Sequence, residues 1–523
     1  MFSCPNCGGK IVFDIDTQRP LCQYCGSQFR IEDLGPGIAQ NVTTYEANVF
    51  VCRNCGAEVT SPDNQIVSFC SYCGSESVLY SRTVTADSPQ TVLPFRLSKK
   101  KIHEMYATRL QNVWYLPKEF KDPQYIDSMR GIYMPFWSTS VSYPPQVRLN
   151  MHQRVEVSSD TYRIDTYSGI FYVTGTAERY LTDASSALDD AITDQLLPYP
   201  ESSAKPFHPA YLAGFYADKS DVPVQKYTQY IQEKASEDAI EGIKQRLGTN
   251  FTIDSTILPN GQKVAPSVPA TPKDYHATLM PVWFLTRRDK DRVSYGVVNG
   301  YTGSTYMDLP VDQKKFWPVT LAIALVLFIA LSLFFSAVAK TALTISLLAT
   351  ALMMLVYQGE LRNVMERETH LFDIGSATYD PKNGTSVKKK AKKTNTTFTT
   401  FFAMMVVMFV AMVFSDPTIM RFILGTAAIV LGTINVIKII RDGSKVADKM
   451  LMVIGILSYA TIVVGTLVQL AAPVYDYWYY GASLICLAGA LLPGILMIRC
   501  YNLSASRPLP NYFSREGGMN DAQ

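Results

Sequence analysis

Most of the short motifs that announce chemistry are missing from this 523-residue sequence. There is no GxSxG elbow, no GxxxxGK[ST] phosphate loop and no HExxH pair, so hydrolase and NTPase readings lose their main support and the chain reads as a non-enzyme. Histidine is scarce, with five in all, and His103, His152, His208 and His276 stand alone, as surface or satisfied core residues do. No basic-then-apolar leader precedes Cys4, so a cleaved signal peptide is not expected. The net charge of +3 argues for no partner until the charges are placed along the chain. Residues 1–80 hold four basic side chains (Lys10, Arg19, Arg30, Arg53) against eight acidic ones. That balance disfavours nucleic acid, whose binding depends on basic groups that release phosphate counterions.

Cysteine, by contrast, is concentrated: eight of the ten lie in the first 73 residues. Cys4-Pro-Asn-Cys7 and Cys22-Gln-Tyr-Cys25 are separated by fourteen residues, and Cys52-Arg-Asn-Cys55 and Cys70-Ser-Tyr-Cys73 repeat that spacing. A two-residue gap lets one tight turn aim two sulfurs at one ion, and a hairpin brings the second pair back, giving a tetrahedral Zn2+ site of four thiolates. Each pair is followed by glycine (Gly8, Gly26, Gly56, Gly74), the residue such a turn favours. Two structural zinc ribbons are expected, 1–31 and 49–80, in a reducing compartment where metal ligation prevails over disulfides. Four protein thiolates leave no open position for catalytic water.

A polar linker, 81–91, leads into 91–312, which reads as a soluble α+β domain with an antiparallel sheet. Ile102, Met105, Tyr106, Leu110, Val113 and Trp114 recur at helical steps after a candidate N-cap, Ser98. Residues 131–137 and 154–174 read as strands, 185–197 as partly helical, and Pro223 as the start of a long helix striped by Tyr227, Ile231, Ala235, Ala239, Ile243 and Leu247. Strands are expected at 276–286 and 293–298, joined by the charged turn 287–291. Met134-Pro-Phe-Trp137 and Met280-Pro-Val-Trp283 form a pair of Met-Pro-x-Trp motifs, best read as packing.

From Phe316 to Ala339 runs a 24-residue stretch with no ionisable side chain. At 1.5 Å per residue it reaches roughly 36 Å, enough to cross a bilayer core of about 30 Å. A second apolar run, 341–358, forces a turn near Lys340, and four more follow at 398–414, 418–440, 450–472 and 478–498. The fold class expected is thus multidomain: two small β zinc ribbons, a soluble α+β domain, and an all-α polytopic membrane domain of about six transmembrane helices. In that scheme 316–358 is a helical hairpin, 359–397 a basic cytoplasmic loop, 398–500 four further helices and 501–523 a disordered tail. Lysine and arginine gather on one side, which places both termini in the cytoplasm. Lys388, Lys389, Lys390, Lys392 and Lys393 read as an anionic-lipid contact beside a span, and Tyr475, Tyr477, Trp478, Tyr479 and Tyr480 as an interfacial belt.

The order of two CxxCG ribbons, Val92-Leu-Pro-Phe95, Gly131-Ile-Tyr-Met-Pro-Phe-Trp137, His208-Pro-Ala-Tyr-Leu-Ala-Gly-Phe-Tyr216, Leu279-Met-Pro-Val-Trp283 and Val298-Asn-Gly-Tyr-Thr-Gly303 resembles a family of bacterial TFIIB-type zinc-ribbon membrane proteins. Relatives are often labelled after the primosomal replication helicase, a label this sequence does not support. The resemblance implies a place in the inner membrane and protein partners of the PspA or SPFH type, as in a membrane-stress response. The reading that follows is a non-enzymatic adaptor or scaffold. A membrane-tethered nucleic-acid binder and a transporter are the alternatives, the latter weakened because the spans hold little more than Asn435 and Gln469 as strong polar groups.

Overall fold

The computed structural model describes residues 3–34, 44–62, 69–76, 78–158, 161–173, 179–247, 251–253, 256–257, 263–264, 267–334, 338–371, 373–376, 379–380, 384–385 and 417–513. Strands β1 (Ile11–Asp14) and β2 (Arg19–Cys22) form a hairpin of their own. Strands β3 (Thr44–Cys52), β4 (Glu58–Ser61), β5 (Val78–Asp87), β6 (Thr91–Val92) and β7 (Arg130–Ser142) enter a larger sheet, with helices α1 (Lys99–Gln111) and α2 (Pro123–Asp127) before β7. The hairpin of β8 (Gln146–Ser158) and β9 (Thr161–Tyr172) leaves that sheet and β10 (Arg179–Asp183) returns to it. Next come α3 (Asp190–Leu196), β11 (Lys205–Pro206), β12 (Tyr216–Asp218), α4 (Thr228–Leu247) and β13 (Phe251–Ile253). A short pair, β14 (Thr256–Ile257) and β15 (Lys263–Val264), precedes β16 (Thr271–Asp289), β17 (Arg292–Asn299) and β18 (Thr305–Met307). Helices α5 (Gln313–Phe334) and α6 (Ala339–Glu368) lead to the pair β19 (Tyr379–Asp380) and β20 (Gly384–Thr385). Helices α7 (Pro417–Gly443), α8 (Lys449–Ala471) and α9 (Asp476–Ser504) precede the last strand, β21 (Arg507–Pro508).

The larger sheet has twelve strands, with the path β11-β6-β16-β7-β12-β4-β3-β5 and with β10, β17, β18 and β21 beside it. It is mixed rather than antiparallel, because β12 lies parallel to β7 and β6 parallel to β16. Its centre is the antiparallel pair β7 and β16, where Met134 stands opposite Met280, both buried. The two Met-Pro motifs are therefore mid-strand core, and each tryptophan anchors a crossing segment: Trp137 Nε1 donates to the Val222 carbonyl at 2.7 Å, Trp283 Nε1 to that of Leu97 at 2.9 Å. One face of the pair packs against α1 and Phe13 of the first hairpin; the other packs against α3 and the second cysteine group. Trp114 is exposed because α1 ends at Gln111.

Several expected boundaries move. The second cysteine hairpin is not a separate domain, since β3, β4 and β5 belong to the main sheet through β4 and β12. Its inward residues Phe50, Val59 and Tyr72 need a core larger than a ribbon provides, and the sheet supplies it. The polar linker continues β5 to Asp87. The stretch expected as one strand from Arg154 is the end of β8 plus β9, and β16 and β17 extend until only Lys290 and Asp291 turn, Lys290 at φ +53°. Beyond the sheet, β13, β8 and β9 form a three-stranded layer whose Val147, Leu149 and Ile253 pack on Ile240 and Ile243 of α4.

Among the described residues, four helices are long and apolar enough to cross a membrane: α6, α7 from Arg421, α8 and α9. They pack around α6 through Leu343, Leu347, Tyr357, Ile439, Ile462 and Cys486. Small residues allow close approach: Gly489 faces Thr461, Gly465 faces Cys486 and Gly455 faces Ile439. Their outer surfaces expose Val430, Ile437, Leu467, Leu484 and Leu491. The first expected span falls on α5, described over Gln313–Phe334, and Ala339 already belongs to α6. The expected span at 398–414 and the five lysines at 388–393 lie outside the described residues. Helix α6 runs ten residues beyond its apolar stretch, so the start of the expected loop is helical as far as Glu368. The part of the expected disordered tail that is described, 501–513, is ordered: α9 continues to Ser504, β21 pairs with β17, and Tyr512 is buried.

Candidate metal centres

All eight sequence-selected cysteines come together in two groups of four. Cys4, Cys7, Cys22 and Cys25 form one and Cys52, Cys55, Cys70 and Cys73 the other, their sulfurs all within 4.8 Å of one another in each group. The shortest approaches are 3.6 Å for Cys4 to Cys25 and for Cys7 to Cys22, 3.6 Å for Cys52 to Cys73 and 3.7 Å for Cys55 to Cys70. A disulfide needs sulfurs at about 2.05 Å, whereas thiolates bound tetrahedrally at about 2.3 Å sit roughly 3.8 Å apart. The donor set and spacing therefore fit a metal ion that takes four thiolates.

One backbone device builds all four half-sites. In each, the first cysteine's amide donates to the carbonyl five residues on, as from Cys4 to Gly9 and Cys52 to Ala57 at 2.8 and 2.9 Å. The glycine four residues on donates back to that cysteine's carbonyl, as from Gly8 to Cys4 and Gly56 to Cys52, each at 2.8 Å. Closing this loop demands a left-handed residue, and Gly8, Gly26, Gly56 and Gly74 have φ of +72°, +71°, +77° and +68°. The CxxCG signal thus encodes its own geometry.

The two groups differ in surroundings. Cys7 and Cys25 of the first are exposed, and the Cys25 thiol is held down to about 6 by hydrogen bonds with Ser27. All four cysteines of the second are buried beside Tyr72, Phe284, Tyr295 and Tyr512. There, hydrogen bonds from Cys52, Cys55 and Cys73, then burial, push the Cys70 thiol far up, while bonds with Cys55, Cys70 and Cys73 hold Cys52 far down. Four thiols buried this close together cannot all ionise unless a cation offsets their charge, which a bound metal ion would do.

The last residues of the described chain close over this second group. The Tyr512 amide donates to the Cys55 carbonyl at 2.7 Å, its ring packs edge-on against Tyr72 at 5.7 Å, and its hydroxyl reaches the Ala187 carbonyl at 3.1 Å. Arg507 anchors the segment in the interior: Nε lies 2.6 Å from Asp189 Oδ2, Nη1 2.6 Å from Asp308 Oδ2, and its plane covers Tyr295 and Tyr306. Asp189 also meets His370 Nδ1 at 3.0 Å, just after α6. Burial opposes the charge of Asp189, but His370 and Arg507 hold its carboxyl below the usual range; the same contact raises His370. Nearby, burial and then Asp373 push Asp190 up to about 7.

Asp189, His370 and Asp373 also have the spacing of metal ligands, yet Arg507 already neutralises Asp189, so the group reads as an ion-pair joint. Arg292 completes it, pairing with Glu368 at 3.1 Å and donating to the carbonyls of Leu503 and Ser506. None of these residues was marked by sequence reasoning. The available signal was the run Arg507-Pro-Leu-Pro-Asn-Tyr-Phe513, too apolar and aromatic for a solvated tail.

No family model matches this sequence, and no solved structure matches it. An alignment of 332 residues at 33% identity relates it to the Bacillus subtilis (strain 168) protein named "Uncharacterized protein YdjG", covering 60% of this chain and 91% of that one. The chain belongs to the same family as that protein.

Proposed function

We propose that the protein is a non-catalytic adaptor of the bacterial inner membrane, with Zn2+ held structurally in both cysteine groups and a cytoplasmic face that docks another protein. The observation that carries the reading is β9. It is the outer strand of its sheet among the described residues, and alternate residues Tyr162, Ile164, Ile170 and Tyr172 on one face are each more than half exposed. A long edge strand with an apolar row invites strand pairing, and soluble proteins cover or charge such edges unless a partner uses them. The partner class is the one implied by the family resemblance, PspA-like or SPFH-type proteins. Closed four-thiolate coordination supports a scaffolding metal.

Parity supports six crossings with both termini on one side. The segments before α5, after α6 and after α9 all pack on the soluble domain, through Asp312 to Tyr115, His370 to Asp189 and Arg507 to Asp308. The opposite end of the bundle holds the starts of α6, α7 and α9 and the end of α8. The chain must then cross once before α6, where α5 lies, and once before α7, where the apolar run at 398–414 lies in sequence. Spreading a photocrosslinker over Ile164 and Ile170 of the full chain in native membranes tests the docking reading. A protein adduct that disappears in Tyr162→Ser/Tyr172→Ser is expected. Nuclease-sensitive adducts, or no adducts at either site, would overturn it.

A further inference from the structure

The far end of the helix bundle, away from the metal centres, contains a cavity of about 450 Å³ lined by Lys340, Arg421, Phe422, Ile423, Gln469, Ala472 and Tyr479. Two cations and no acidic residue contribute to that lining. Lys340 is held in place by the face of Tyr479, with Nζ 5.5 Å from the ring centroid. Gln469 bridges two helices by donating from Nε2 to the Arg421 carbonyl at 2.7 Å, and its buried Oε1 has no hydrogen-bond donor among the described residues. The site therefore offers positive charge and one unused acceptor.

Helix polarity adds to the charge. Among the described residues, helices α6, α7 and α9 begin at this end and α5 and α8 finish here, so three positive dipole ends face two negative ends, with Asp476 in the first turn of α9 as an opposing charge. The depth is marked by the exposed rings of Tyr475, Tyr477, Trp478 and Tyr480, a belt of the kind that sits at the headgroup level of a bilayer. Phe422 and Ile423 are more than half exposed on the cavity's rim, where acyl chains would lie.

We propose that this cavity binds the headgroup of an anionic phospholipid, with the phosphodiester between Lys340 and Arg421 and a headgroup hydroxyl donating to Gln469 Oε1. Charge alone would suit free phosphate equally well. The apolar rim and the aromatic belt favour a ligand that is polar at one end and hydrocarbon at the other. This site is distinct from the lysines at 388–393 and independent of the adaptor reading.

The test uses the full chain in nanodiscs of phosphatidylcholine doped with phosphatidylglycerol, read by native mass spectrometry. The wild type should retain phosphatidylglycerol over phosphatidylcholine, and Lys340→Gln/Arg421→Gln should lose roughly 10- to 30-fold of that preference, as expected for two basic groups near a lipid surface. Lys445→Gln, at the other end of the bundle, should keep it. A second measurement needs no variant: headgroup-photoactivatable phosphatidylglycerol should label wild-type peptides containing Lys340, Arg421 to Ile423 or Gln469 to Tyr479. Labelling confined to other peptides, an unchanged preference in the double variant, or displacement of the lipid by millimolar inorganic phosphate would each overturn the proposal.

Discussion

Replacing Arg507 by methionine would remove the cation on which the C-terminal segment is anchored while keeping most of its buried volume. Arg507 is 5% exposed and its two charged partners, Asp189 and Asp308, are largely or fully buried. Removing one member of a buried ion pair costs about 3–5 kcal/mol, because the other charge is left uncompensated. Here His370 still faces Asp189 at 3.0 Å and Arg367 faces Asp308 at 3.7 Å, which places the cost at the lower end. A loss of about 3 kcal/mol shifts the docking equilibrium of this segment roughly 150-fold. Hydrogen exchange at two amides reports it directly: Leu509, which donates to the Asp291 carbonyl at 3.1 Å, and Tyr512, which donates to that of Cys55 at 2.7 Å. Both should lose protection in Arg507→Met while amides of β7 do not. Arg507→Lys should be intermediate, since an ammonium cannot span both carboxylates as the planar fork does. Tyr512 exchange within about threefold of wild type in Arg507→Met would refute the anchoring argument, since the predicted shift is roughly 150-fold.

Three further outcomes are expected. A chelator should strip metal from the first cysteine group well before the second, because Cys7 and Cys25 are exposed and all four cysteines of the second are buried; stepwise release followed with a colorimetric metal dye checks the order. Gly26→Ala should cost only the left-handed penalty of about 1–2 kcal/mol, as its added Cβ meets open space, whereas in Gly56→Ala that atom lies 2.8 Å from the Phe513 backbone nitrogen and should also displace the C-terminal segment; exchange at Tyr512 separates the two. Docking of residues 369–376 should weaken as pH rises from 6 to 8.5. Raised His370 stabilises fully below its ordinary value of 6.5 and loses that contribution as pH climbs through its folded value, and Asp190, raised from 3.8 to about 7, loses its own between those values. Protection of 373–376, corrected for intrinsic exchange, should fall over that range in the wild type and change less in His370→Ala.

The metal centres were legible down to the residue because their geometry is local. Two cysteines, two spacers and a glycine close one loop by two backbone hydrogen bonds, and no distant contact can alter that requirement. The apolar helices were legible for a similar reason, since hydrocarbon thickness sets a length that the sequence either meets or does not. Ala339–Glu368, Arg421–Gly443, Lys449–Ala471 and Asp476–Ser504 accordingly fall close to the expected runs. Strand boundaries failed where a partner from elsewhere prolonged the ladder, as for β5, β16 and β17, because a pattern of period two does not say how long its neighbour is.

What the sequence determined by itself was the existence of two four-thiol groups and of helices fit for a bilayer. Tertiary structure alone decided that one thiol group stays near the surface while the other is built into the main sheet and sealed by Tyr512. It also decided that the last described segment of the chain is a clasp between bundle and domain. Asp189 reaches His370 across 181 residues and Arg507 across 318. At such separations no local pattern links the partners. Only the packing of α6 and α9 against the sheet puts a charge where it must be buried, and a buried charge then requires the partner that the rest of the fold happens to place beside it.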